Sequence, residues 1–143
     1  MNVNLTSAAD LYYDNVQRIK SYSVWKHDLA KRLAALLFTA EGRQVDSEAL
    51  RKAEKALKQT AGPFSPVRGT AGLMICAVLA LSEDPQNAHS RVLAALDLLK
   101  HSKFRSSDYL AVAAGIVARQ TSVENLSVVC ARAGEFLSEI GRA

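Results

Sequence analysis

An all-α fold, with six or seven helices in stacked antiparallel pairs, is predicted by three observations. Ala and Leu fill 41 of the 143 positions, against three prolines and seven glycines, a balance that favours helix over strand. Apolar residues recur every three or four positions through several segments, the period of one buried helical stripe. Two further segments, Thr70–Leu81 and Asp108–Arg119, are apolar almost all round, which places them at the centre. A chain of this length buries enough surface to need no disulfide or metal, so residues 1–143 read as a single helical domain.

Thr6 or Ser7 is expected to cap a first helix that carries Ala8, Tyr12, Val16 and Ile19 inward and ends near Ser21 or Tyr22. Ser23 then caps a second, with Trp25, Leu29, Leu33, Leu36, Leu37 and Ala40 on its buried face, Lys26, Lys31 and Arg32 elsewhere, and Gly42 as its stop. One long bent helix over residues 1–40 fits the same pattern. A third helix starts at Asp46 or Ser47, buries Ala49, Leu50, Ala53, Ala56 and Leu57, and leaves a Lys/Glu-rich side in water. Gly62-Pro63 ends it, glycine tolerating the left-handed conformation and proline disfavouring a helical predecessor.

The fourth helix is the apolar stretch Thr70–Leu81. Asp84-Pro85 opens the fifth, Asp84 as cap and Pro85 at the first helical position, where its missing N–H costs nothing. Ala88, Val92, Leu93, Leu96 and Leu99 face inward, and His101–Ser107 forms a loop before the sixth helix. Thr121-Ser122-Val123-Glu124 has the spacing of a capping box. The last helix buries Val123, Leu126, Cys130, Ala133, Leu137 and Ile140, and Gly141 ends it. Val128 points away from that stripe, where with Ala131 it marks a place for another helix pair or a second subunit. Sliding residues 70–99 by 38 aligns the two central-plus-amphipathic pairs, an α-α repeat in pattern more than in identity.

The 18 Lys+Arg against 14 Asp+Glu give a net charge of +4, spread evenly along the chain. Nucleic-acid binding needs concentrated phosphate-facing charge, so nucleic acid is not the expected partner. Cys76 and Cys130 lie in apolar stretches as small core hydrophobes, in keeping with a reducing compartment. The start MNVNLTSAAD has neither the basic residues nor the apolar run of a secretory signal, and the longest apolar run, Ala71–Leu81, is far short of the about 20 residues that span a bilayer. A cytoplasmic location without membrane attachment is expected.

No nucleophile elbow, phosphate loop, dinucleotide fingerprint or zinc-protease motif occurs, and His27, His89 and His101 have no ligand partner at metal spacing. No cofactor and no metal are expected. The aromatic group Tyr12, Tyr13, Tyr22 and Trp25 reads as one edge of the core. Two loops stand out, because each sets an aromatic beside cations ahead of a central helix: Phe64 with Arg68, and Phe104 with Lys103 and Arg105. If they meet, a helix N-terminus and two or three cations face the same space, which suits an anionic ligand or an acidic peptide. The phenylalanines plugging the core, with the cations solvated, is the plainer alternative. Asp108 reads as an N-cap, and Tyr109 as a packed ring with a wet hydroxyl. Phe64, Arg68, Lys103, Arg105, Ser107, Asp108 and Tyr109 are thus the candidate ligand-binding residues.

The segments RLAALLFTAEGRQVD at 32–46, FSPVRG at 64–69, LALSEDP at 79–85 and FRSSDYLAVAA at 104–114 resemble a bacterial all-helical family known only as a domain of unknown function. The resemblance runs over nearly the whole chain and implies that it corresponds to the N-terminal half, or a shortened form, of a longer architecture. It implies no activity or ligand, and its matching positions include Phe64, Arg68, Gly69, Ser107, Asp108 and Tyr109. The expected function is a non-enzymatic interaction or scaffold module whose protein partner, or a second copy of itself, binds the basic-aromatic loops. The alternative is a small-anion-binding domain or an enzyme built on residues 62–69 and 101–109.

Overall fold

The computed structural model describes residues 5–22, 28–60, 62, 69, 72–101 and 108–142. Among them are seven α-helices and no strand: α1 (Leu5–Tyr22), α2 (Asp28–Ala40), α3 (Ser47–Thr60), α4 (Gly72–Leu81), α5 (Pro85–His101), α6 (Asp108–Gln120) and α7 (Leu126–Arg142), the last preceded by a 3-10 turn at Val123–Asn125.

Local chemistry explains most of the ends. Asp46 Oδ1 accepts from the N–H groups of Glu48 and Ala49, both at 3.1 Å, and so caps α3. Asp84 does the same for α5 through the Asn87 N–H at 3.1 Å, with Pro85 at the first helical position as the sequence predicts. Gly42 ends α2 in the left-handed conformation, φ 65°. There the Gly42 N–H meets the Thr39 carbonyl and the Arg43 N–H meets the Phe38 carbonyl, both at 2.9 Å, the pairing of a Schellman motif.

α4 is the hub. Every residue from Gly72 to Leu79 is buried, and α2, α3, α5 and α6 all pack on it. Arg43 Nη1 donates to the Leu81 carbonyl that ends α4 (3.4 Å), and Arg119 near the end of α6 pairs with Glu41 just after α2. The C-terminal ends of α2, α4 and α6 therefore share one end of the molecule. Gly115 of α6 lies against Met74, Ile75 and Val78 of α4, so α4 and α6 run side by side in the same direction. Shifted by 38, buried positions coincide: Ala88 with Leu126, Val92 with Cys130, Leu96 with Gly134. Other positions do not, buried His89 falling on exposed Ser127 and buried Ala95 on half-buried Ala133. Arg91 of α5 donates to the Thr121 carbonyl and ties the two pairs together.

Several expectations are corrected. Residues 1–40 do not form one bent helix, because α1 and α2 pack on each other and Asn15 reaches Thr39 and Arg43. Thr6 and Ser7 lie inside α1, which begins at Leu5. α2 buries Ala30, Lys31, Ala34, Ala35 and Phe38, while Leu29 is 60% exposed, Leu36 53% and Ala40 also exposed. The inward arc is the one rich in alanine, whose short side chains let helices come close. Tyr13 is 70% exposed and no part of a core edge, whereas Tyr12 and Tyr22 do pack against the core. Trp25 and Ser23 lie outside the described residues.

Gly62 does not take a positive φ, and α3 ends two residues earlier, at Thr60. α6 is not apolar-packed all round, since Ile116 on its outer side is 50% exposed where no further helix among the described residues covers it. The expected box at Thr121 gives way to Ser122: its carbonyl accepts from the Asn125 N–H (3.0 Å) and its Oγ from Asn125 Nδ2 (3.1 Å). Gly141 lies inside α7, which runs to Arg142. Leu126 and Cys130 are buried and Ala133 is half-buried, while Val128 is 51% exposed as the sequence implies. The side chains of Val123, Leu137 and Ile140 lie outside the description.

Candidate functional site

Phe64, Arg68, Lys103, Arg105 and Ser107 lie outside the described residues. Asp108 and Tyr109 open α6, but their side chains are likewise outside the description. Of the flanking backbone, the Gly69 carbonyl accepts from the Gly72 N–H at 2.9 Å. The parallel course of α4 and α6 puts their starts, Gly72 and Asp108, at the same end of the molecule.

α3 and α5 both pack on α4 but stand apart near its C-terminal end, and a groove of about 630 Å³ runs between them. Leu79 and Ala80 of α4 form its floor. Ala49, Ala53 and Ala56 form the α3 wall, with Lys52, Gln59 and Thr60, and Pro85, Gln86, His89, Ser90 and Leu93 form the α5 wall. The groove exists because α3 sends Leu50 and Leu57 into the core and turns an edge of alanines toward α5. Side chains that stop at Cβ leave the space between the two helices unfilled.

One polar contact bridges the two walls. His89 is 9% exposed, and its Nε2 lies 2.6 Å from Thr60 Oγ1. The Thr60 hydroxyl gives its own proton to the Ala56 carbonyl at 2.9 Å, so Nε2 must be the donor and the neutral imidazole carries its proton there. Burial holds the His89 pKa below its ordinary value. The Ser90 hydroxyl is similarly committed to the Gln86 carbonyl at 3.2 Å. Lys52, at the rim, pairs with Glu48 at 3.6 Å.

This state of His89 has a pH signature. Its proton affinity is lower in the folded chain than in the unfolded one, so its contribution is intact above about pH 6.5 and is lost as pH falls toward the folded value. Melting curves between about pH 7 and pH 5 should therefore show stability falling with acid, by at most about 1.4 kcal/mol per pH unit from this group. His89→Gln, which keeps a donor for Thr60, should flatten that part of the profile. An unchanged profile would refute the assignment.

The pattern puts Ala49 and Ala56 on the buried face of α3, but the structure leaves both half-buried along the groove, and nothing in the pattern pairs His89 with Thr60. His89 lies next to Ala88 on the inward arc of α5, and a histidine at such a position was the available signal. Its partner is 29 residues away in the chain, a separation that no local pattern reveals. Among the described residues no group of three or more His, Cys, Asp or Glu side chains could hold a metal ion, and no helix is long and apolar enough to cross a membrane.

A family model described as a protein of unknown function, DUF4003, matches residues 12–140. No curated protein and no solved structure matches the chain.

Proposed function

The chain belongs to the DUF4003 family of proteins of unknown function, and from that premise we propose a non-enzymatic interaction module that receives a protein partner in the groove between α3 and α5. The observation that carries this reading is the groove itself: an open trough with an alanine wall and an apolar floor, set on the most buried helix of the fold. Laying the apolar face of an amphipathic helix into a hydrophobic groove is a recurring mode of protein recognition. The hydroxyls of Thr60 and Ser90 are both donated to backbone carbonyls of their own helices, which favours recognition over nucleophilic chemistry. Cys76 and Cys130, both buried and neither in a disulfide, support a reducing, cytoplasmic compartment.

The test is a peptide-display selection on the wild-type chain, counter-selected against Ala56→Leu. Ala56 is half-buried on the groove wall, and leucine there keeps helix propensity while filling the space. Binders selected this way should lose about tenfold or more in affinity for the filled groove. If the selection yields only peptides that bind both proteins equally, the groove is not the binding surface.

A further inference from the structure

On the reading that the groove is a binding surface, we infer that its occupant is an acidic amphipathic helix of about three turns. The α3 wall runs from Ala49 to Thr60, about 16 Å of helix at 1.5 Å per residue. Its alanines at 49, 53 and 56 have the i, i+4, i+7 spacing of a helix groove that accepts the side-chain ridge of another helix. A helix laid there would bury an apolar stripe against the alanines, Leu79 and Leu93, as helix-in-groove partners do.

Charge selects the chemistry of that helix. Arg51, Lys52, Lys55 and Lys58 are all exposed along α3. Its only carboxylates, Glu48 and Glu54, each already face one of these lysines, Lys52 at 3.6 Å and Lys58 at 3.2 Å. On the flank of α3 beside the groove, Lys52 and Lys55 stand against one carboxylate, Glu48, a surplus of one positive charge, while Arg51 lies farther round the helix over the Tyr22 ring. Lys52 lines the groove itself, and Gln59 lines both the groove and a shallow neighbouring depression that it shares with Arg51, Glu54, Lys55 and Lys58. The opposite rim, Gln86 and Ser90, is uncharged. A docked helix with carboxylates on its α3-facing flank would meet complementary charge on that side, while a basic helix would be repelled.

The test uses three fluorescein-labelled peptides of about 14 residues that share one leucine face at i, i+3, i+4, i+7 spacing. Their flanks carry Glu, Gln or Lys, and anisotropy is read at low and high salt. The Glu peptide should bind about tenfold tighter than the Gln peptide and weaken as salt rises. Lys52→Glu combined with Lys55→Glu should abolish that advantage, Ala56→Leu should weaken both peptides, and Lys20→Glu on α1 should change neither. Circular dichroism checks that each variant is folded. Equal binding of the Glu and Gln peptides, or preference for Lys, with Ala56→Leu still weakening them, would overturn the acidic partner and leave the groove standing. No binding by any peptide, or binding indifferent to Ala56→Leu, would remove both. A single-stranded oligonucleotide whose binding depends on Lys52 and Lys55 but not on Ala56 would overturn the inference in favour of a nucleic-acid surface.

Discussion

Phe38→Ala is expected to cost about 4 kcal/mol, while Leu36→Ala, two residues away on the same helix, should change stability by no more than about 0.5 kcal/mol. Phe38 is fully buried and Leu36 is 53% exposed. Two residues are about 200° of helical rotation, so the two side chains leave α2 on nearly opposite sides. Removing the phenyl ring forfeits its burial and leaves a cavity in a helix layer held between α1 and α4, whereas trimming Leu36 removes carbons already in water. For a domain of this size, Phe38→Ala should lower the melting temperature by about 8–16 °C. Urea titrations of the two variants decide the matter. A larger loss for Leu36 than for Phe38 would mean that α2 presents its leucine face to the core after all.

The second large effect is expected at Asn15, which is completely buried on α1. Its Nδ2 donates to Thr39 Oγ1 at 3.1 Å and to the Arg43 carbonyl at 2.9 Å, and its Oδ1 accepts from the Val45 N–H at 2.8 Å. This one side chain ties α1 to the end of α2 and to the turn that leads into α3. Asn15→Ala would leave the Val45 N–H and the Arg43 carbonyl without that partner, and an abandoned buried polar group costs more than the bond was worth. The expected loss is about 3 kcal/mol. Thr39→Val, which removes one acceptor and leaves the other two contacts, should cost about 1 kcal/mol. Hydrogen exchange supplies the local readout: the Val45 amide should lose its protection in Asn15→Ala and keep it in Thr39→Val. Protection of Val45 in both variants would show that the turn is held by something other than Asn15.

Where local chemistry is strong, the fold is legible in the sequence. Asp46 and Asp84 cap α3 and α5, and Gly42 terminates α2, because each acts within a few residues of itself. The uninterrupted apolar run of α4 can lie nowhere but the centre. α2 shows where such reading stops. Its Leu29, Leu33 and Leu36 make one apolar face and its Ala30, Ala34, Ala35 and Phe38 another. Hydrophobicity ranks the leucines first, yet the alanine side is chosen because small side chains permit close approach to α1 and α4. Lys31 is buried for the same reason: it lies on the inward arc beside Ala30 and Ala34. α6 carries as plain an apolar pattern as α4, but its outer side has no covering helix among the described residues, and Ile116 is left half in water.

The sequence alone determined that this chain is helical, where α3 and α5 begin, and that α4 lies at the middle, since backbone capping and hydrophobic periodicity operate over a few residues. Only the tertiary structure decided which face of α2 is buried, that Asn15 locks three segments together, and that His89 meets Thr60 across a groove walled by alanines. Each of these depends on how closely two helices approach. That distance follows from the shapes of many side chains fitted together, and no single stretch of sequence carries it.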